Sequence, residues 1–170
     1  MKKKLFLFLP FICLGMAFAD ANITLPNNQT VNIKYDEKTP DIWITVNNGK
    51  KSDSYMIEAI GPDCRIDSVL TDVINTKNIL FVEICLGNPG GRQSLDERHL
   101  YIFEITAEEK IKLLLDKKIV FIHFSTSSGS YTSLLRHFYS YNYNTKEVTI
   151  YYADHDFIDY EILKLTDYLK

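Results

Sequence analysis

Residues 78–86 read NILFVEICL, an apolar run whose one charged residue is Glu83. A short run of this kind, bounded by polar residues and rich in β-branched and aromatic side chains, is typical of a strand that is covered on both sides. It predicts a central strand of a sheet, with the other elements packed around it.

Other strands are indicated by period-two alternation of apolar and polar residues. Residues 42–46 are followed by NNGK, which is hairpin-turn chemistry because Asn and Gly tolerate positive φ. A second hairpin is predicted around Asn144-Thr145-Lys146. The predicted strands cover residues 30–35, 42–46, 54–60, 78–86, 100–106, 119–124, 134–143 and 147–152.

Two stretches instead have the spacing of one helical face. The first consists of Ile66, Val69, Leu70, Val73 and Ile74. The second begins with a capping box, in which Thr106 and Glu109 bond each other's backbone, and it continues through Ile111, Leu114 and Leu115. The tail from Asp156 fits a helix or a strand. These patterns predict an α+β fold: a mainly antiparallel sheet with one or two packed helices. The alternative is a β-sandwich with short helices.

Residues 1–19 have the pattern of a cleavable secretory signal. Three lysines precede an apolar stretch, which ends in Ala17-Phe18-Ala19 before Asp20. The stretch is shorter than a membrane span needs, so we expect removal and no stable membrane anchor. Residues 20–170 are then expected to form one globular domain, placed in the periplasm or outside the cell.

Removing that segment changes the formal charge from −3 to −6, because three lysines leave with it. An acidic domain is a poor candidate for nucleic acid or anionic membrane surfaces, and it favours a basic partner. Cys64 and Cys85 remain. In an oxidising compartment the simplest expectation is a disulfide between them, and two buried thiols are the alternative.

The segment from Gly87 to Arg98 is expected to be a long loop between two apolar strands. Such a loop is often functional, and its residues Arg92, Asp96, Glu97 and Arg98 could contact a protein partner. The alternative is a solvated connection whose charges pair locally.

A second polar loop follows the strand at 119–124. Its residues Ser128, Gly129, Ser130 and Tyr131 resemble the Ser-Gly-x-x-Tyr loop of bacterial periplasmic lysozyme inhibitors, which enters the enzyme's cleft. The spacing here is one residue short and the resemblance covers four residues, so it identifies no family. It implies that Ser128, Ser130 and Tyr131 contact a protein. The alternative is a plain hairpin loop.

Tyr139, Tyr141 and Tyr143 alternate along one predicted strand and therefore share a face. If the row is exposed, it forms a surface suited to protein or sugar contacts. The alternative is that these rings stabilise a hairpin by cross-strand contacts.

No catalytic or metal motif is present in the sequence, so no cofactor and no metal are predicted. The sequence therefore favours an exported, non-catalytic protein-binding module, most simply a periplasmic inhibitor or a toxin-neutralising immunity protein. One alternative is a small hydrolase acting on the cell wall or a glycan through Glu83, Glu97 or Glu104. The other is a structural or adhesive secreted component.

Overall fold

The computed structural model of the protein describes residues 20–39, 41–47, 51–60, 64–86, 93–108, 110–125, 131–154 and 157–169. Within these ranges the chain forms eleven strands, paired antiparallel throughout, and one helical turn. The strands are β1 (Asp20–Thr24), β2 (Thr30–Asp36), β3 (Asp41–Asn47), β4 (Ser52–Ile57), β5 (Arg65–Ile74), β6 (Lys77–Cys85), β7 (Gln93–Ile105), β8 (Ile111–Ser125), β9 (Tyr131–Asn142), β10 (Glu147–Asp154) and β11 (Phe157–Lys164). The helical turn α1 is Leu165–Tyr168.

The first four strands form one sheet in chain order, β1-β2-β3-β4. In β2 and β3 every second side chain is buried, as with Val31 and Ile33 in β2 and Ile44 in β3. The polar residues between them point to the opposite side, because successive side chains of a strand alternate between faces. The predicted strands at 30–35 and 42–46, and the hairpin partner of the latter, are confirmed.

The other seven strands form a second sheet, also in chain order, from β5 at one edge to β11 at the other. Its β7–β8 pair is 13 and 15 residues long and contains two bulges. Bulges increase local twist and bend a sheet. The bends let the later strands cover a face of the earlier ones.

Two hydrophobic cores lie on the two faces of β5–β7. The first core lies against the four-stranded sheet and includes Leu80, Val82 and Ile84 of β6. The second core includes Ile79 and Phe81 of β6, and it is completed by side chains from β8, β10 and α1. Burial of each large apolar side chain contributes roughly 1.5–3 kcal/mol. The prediction that residues 78–86 are covered on both sides is confirmed, although β6 lies next to an edge strand in the sheet order.

The α+β prediction is wrong, and the fold is closer to the β-sandwich alternative. The predicted helix from Ile66 is strand β5. Its register with β6 shifts between Ile66 and Ser68, so Asp67 is an extra residue on β5. Ile66 and Val69 consequently pack on the first core and Leu70 and Ile74 on the second. When a bulged strand buries apolar residues on both of its faces, their spacing along the sequence can be the same as that of one helical face.

The helix predicted from Thr106 is also wrong, because this stretch is a hairpin turn followed by β8. The Thr106 N–H donates to the Lys110 carbonyl oxygen at 3.0 Å, and the Lys110 N–H donates to Thr106 Oγ1 at 3.2 Å. Ile102 pairs with Leu115 but Phe103 pairs with Leu113, so Leu114 is an extra residue on β8. The threonine that was expected to cap a helix closes a turn instead.

The predicted hairpin at 134–152 is confirmed as β9 and β10. The ambiguous tail is mainly a strand, β11, which ends in α1. The expected 12-residue loop ending at Arg98 is wrong in its second half, because β7 already begins at Gln93.

Candidate functional site

The residues expected to project from loops fall into three groups. Arg92, Ser128 and Ser130 lie outside the described residues. Asp96 and Tyr131 belong to β7 and β9, and their side chains are outside the described part of the chain. Glu97 and Arg98 are described fully and lie within β7, so they are strand residues and not loop residues.

Glu97 and His99 lie on one face of β7 and contact Asp116 and Lys118 of β8. His99 Nε2 is 2.9 Å from Glu97 Oε1, and His99 Nδ1 is 2.5 Å from Asp116 Oδ1. Lys118 Nζ lies 2.9 Å from the same Glu97 oxygen. Burial acts to raise the pKa of Glu97, but hydrogen bonds from Lys118 and His99 bring it below its usual value. Because carboxylates engage both ring nitrogens, this network joins two strands and leaves neither nitrogen facing a substrate.

Arg98 points to the opposite face of β7, toward β5. Its Nη1 lies 3.3 Å from Asp67 Oδ2, and Arg65 Nε lies 2.9 Å from Asp67 Oδ1. Next to Asp67 on β5, the Ser68 hydroxyl donates to Glu83 Oε2 of β6 at 3.1 Å. Burial raises the pKa of Glu83, and this hydrogen bond opposes the shift only in part. The ion pair between Arg98 and Asp67 therefore stabilises the bulge of β5.

Glu83, Glu97 and Glu104 do not lie at adjacent positions of the sheet. Glu83 and Glu104 share the second-core face, but the residue opposite Glu83 is Leu100, four positions from Glu104 along β7. At the rise of a strand these positions are about 13 Å apart. Glycosidase carboxylates lie roughly 5–9.5 Å apart. Glu97 is on the other face, and Glu104 is paired with Lys77 at 3.1 Å.

The tyrosine row of β9 points mainly inward, as in the alternative that the sequence left open. Tyr139 and Tyr141 pack on the second core opposite Ile150 and Val148, and Tyr143 is exposed beyond the strand end. The Tyr141 ring lies 4.5 Å from that of Phe81. Cross-strand packing therefore accounts for two of the three rings.

No disulfide joins Cys64 and Cys85, and both are buried. Cys64 belongs to the first core together with Ile84. Since Cys85 follows Ile84 on the same strand, its side chain points to the opposite face. Burial, with Cys85 and Asp41 nearby, raises the pKa of the Cys64 thiol to about 12. The expected disulfide is thus absent from the structure because the register separates the two side chains.

Strand β11 is the feature that the sequence analysis did not single out. It lies at the edge of the seven-stranded sheet and pairs with β10 on one side. Its side chains Tyr160 and Ile162 are 60% and 50% exposed, more than any other large apolar side chain among the described residues. Both point away from the second core, since they alternate with Glu161 and Leu163. The period-two pattern around Ile162 was the available signal, but it competed with a helical spacing.

Inward-facing polar contacts hold β11 on the sheet. Glu161 Oε2 accepts hydrogen bonds from Lys117 Nζ and from the Tyr152 hydroxyl, both at 2.6 Å. The bond from Lys117, followed by that from Tyr152, lowers the pKa of Glu161. Glu161 and the packed Leu163 thus hold β11 on the sheet from its inward face. Tyr160 alternates with them and is exposed on the outward face.

An open cleft of about 510 Å³ lies at the end of the sheet where β6 begins and β7 ends. It is lined by residues of the turns at 26–27, 76–78 and 104–108. Lys77 and Glu104 are its charged residues inside strands, and they are paired with each other. Glu108 is the charged residue that the turns contribute to the lining.

Comparison of the chain with protein-family models, with curated proteins and with solved structures finds no match in any of the three. Among the described residues, no three His, Cys, Asp or Glu side chains are grouped as metal ligands would be. The part of the chain that the structure describes contains no helix long and apolar enough to cross a membrane.

Proposed function

We propose that this protein is an exported, non-catalytic protein-binding module of the inhibitor or immunity type, which engages a basic protein through edge strand β11. The observation that carries the proposal is the exposure of Tyr160 and Ile162, two large apolar side chains on adjacent outward positions of one edge strand. A few residues carry most of the binding energy of a protein interface, and tyrosine is enriched among them. An edge strand also offers backbone hydrogen bonds to a partner.

The preference for a basic partner comes from charge. The chain without residues 1–19 has a formal charge of −6. Opposite charges steer association and raise its rate, most strongly at low ionic strength. A complex of this kind is expected to form more slowly as salt is added.

The anchoring of β11 supports a preformed surface. Glu161 is fixed by Lys117 and Tyr152, so the neighbouring exposed side chains need little ordering on binding. A smaller entropy cost on association leaves more of the interaction energy as affinity.

The test is capture of the partner by the tagged protein from the envelope of its own cells, followed by titration of the two purified proteins. We expect a 1:1 complex whose affinity falls at least thirtyfold in Ile162→Lys, which corresponds to about 2 kcal/mol. The matched control is Met56→Lys, because Met56 is also exposed on an edge strand and the charge change is the same. A complex weakened equally by both variants, or by neither, would contradict the proposed surface.

An open edge strand also supports a second candidate, a structural or adhesive component that associates with itself. Sedimentation at increasing protein concentration separates the two. The binding module stays monomeric without its partner, whereas a self-associating component grows with concentration and reverts to a monomer in Ile162→Lys.

Export is part of the proposal and has a separate test. Intact-mass measurement of the protein purified from its own cells should give the mass of residues 20–170. A mass that includes residues 1–19 would remove the extracytoplasmic partner from consideration.

A further inference from the structure

The outward face of the four-stranded sheet belongs to a different sheet from β11. Strand register arranges its side chains in rows that cross all four strands. The first row is Asn22, Asn32, Thr45 and Ser54, and the second is Thr24, Thr30, Asn47 and Ser52. Every member of both rows is an uncharged amide or hydroxyl.

The absence of charge from these two rows contrasts with the seven-stranded sheet. The ion pairs formed by the described residues join residues 65 to 164, on that larger sheet. Within the rows, Asn32 donates to Asn22 Oδ1, and the Thr45 and Ser54 hydroxyls lie 3.1 Å apart. Amides and hydroxyls can donate and accept at the same time, which suits a ligand whose own groups are hydroxyls.

Trp43 and Met56 extend the same face. They lie opposite each other in the third row, which continues through Lys34 to Asp20, and are 37% and 46% exposed. Trp43 is the one tryptophan of the chain. A large exposed indole surrounded by polar side chains provides a flat apolar surface against which a ring can stack.

We infer that this face binds an extended, uncharged polysaccharide. The apolar side of one sugar ring stacks on Trp43, and the amides and hydroxyls of the first row bond the hydroxyls of the rings that follow. Side chains within a row repeat at about 4.8 Å, comparable to the length of one sugar ring. The ligand is uncharged because the two rows offer no charge to complement.

The single tryptophan allows a direct test. The purified protein is titrated with chitohexaose, cellohexaose and maltohexaose while Trp43 fluorescence is followed. We expect a saturable change with at least one of them. Its affinity should vary less than twofold between low and high salt, since the ligand is uncharged and the first two rows carry no charge. For Trp43→Ala, whose fluorescence cannot be followed, calorimetry should show at least a tenfold loss of affinity, and Trp43→Phe should lose less.

Two variants separate this surface from edge strand β11. Ser54→Lys places a charge in the first row and should weaken sugar binding, whereas Ile162→Lys should leave it unchanged. Circular dichroism and thermal melting establish that each variant is folded. The inference is overturned if the folded wild-type protein binds none of the three hexasaccharides at millimolar concentration, or if Trp43→Ala binds as tightly as the wild type. Neither result bears on the partner of β11.

Discussion

The Tyr141 hydroxyl donates a hydrogen bond of 2.5 Å to Asp72 Oδ2, and this bond connects β9 to β5 across the second core. Lys146 Nζ donates to the same oxygen at 2.6 Å from the turn after β9. Asp72 thus holds one end of the folded-back sheet closed.

Replacing Tyr141 with phenylalanine should lower the free energy of unfolding by about 1–2 kcal/mol. The ring remains in place, but a hydrogen bond to an ionised carboxylate is lost. Chemical denaturation measures the change. The control is Tyr143→Phe, whose exposed side chain lies next to Tyr141, and it should change stability by less than about 0.5 kcal/mol. Equal effects would show that the bond to Asp72 contributes nothing.

The hydrogen bonds from Tyr141 and Lys146 to Asp72 also predict a dependence of stability on pH. Burial opposes ionisation of Asp72, but hydrogen bonds from Lys146 and Tyr141 outweigh it and lower the pKa. A lowered pKa in the folded state contributes stability above the unfolded value of about 3.9, and that contribution is lost as pH falls through the folded value. Asp72→Asn should therefore be less stable than the wild type at pH 7, and the difference should shrink in acid.

The ionisation of Glu83 should change stability with pH in the opposite direction to that of Asp72. Burial raises its pKa, so the folded state holds a proton more tightly than the unfolded state and stability falls as pH rises through this range. Glu83→Gln keeps an acceptor for Ser68 and removes the ionisation. We expect the variant to be more stable than the wild type at pH 7 and equal to it below about pH 4. The control is Glu58→Gln, the same substitution at an exposed position, and an equal gain in stability at pH 7 there would contradict the role of burial at Glu83.

Neighbouring residues of β6 should both be costly to truncate. Leu80 faces the first core and Phe81 the second, and both are fully buried. Leu80→Ala and Phe81→Ala should each lower the free energy of unfolding by about 2–5 kcal/mol. Exposed Val73→Ala should cost much less. A small effect at one of the two buried positions would mean that one face of β6 is open.

Reduction should leave stability unchanged. Cys64 and Cys85 point to opposite faces of the sheet, so no disulfide is available to break. The melting temperature should be the same with and without dithiothreitol. Alkylation should modify Cys64 only after unfolding, because burial suppresses its thiolate. A lower melting temperature under reducing conditions would show that the two sulfurs are joined.

The sequence predicted strands well wherever alternation was unbroken, as in β2, β3 and β10. It failed at both predicted helices for one reason. Asp67 on β5 and Leu114 on β8 are bulge residues, and each shifts the alternation by one position. Local periodicity cannot separate a bulged strand that serves two cores from a helix that serves one.

The candidate surface on β11 could not be predicted for a different reason. Tyr160 and Ile162 are outward-facing because the sheet folds back and buries Leu163 and Tyr152 in a second core. That arrangement depends on pairing over the whole sheet. Tyr139 and Tyr141 point inward for the same reason, because the folded-back sheet forms the second core. The sequence alone does not specify which strands cover them, so it left open whether this row is exposed or packed.

In both sheets each strand lies beside the strand that precedes it in the chain. Successive hairpins can therefore form in the order in which the chain emerges, and each closes only a short loop. If the chain is exported as proposed, β1–β4 can pair while later residues are still in transit. We expect refolding of the isolated chain to be faster than that of Greek-key proteins of equal size, and stopped-flow fluorescence of Trp43 would follow the earliest of these steps.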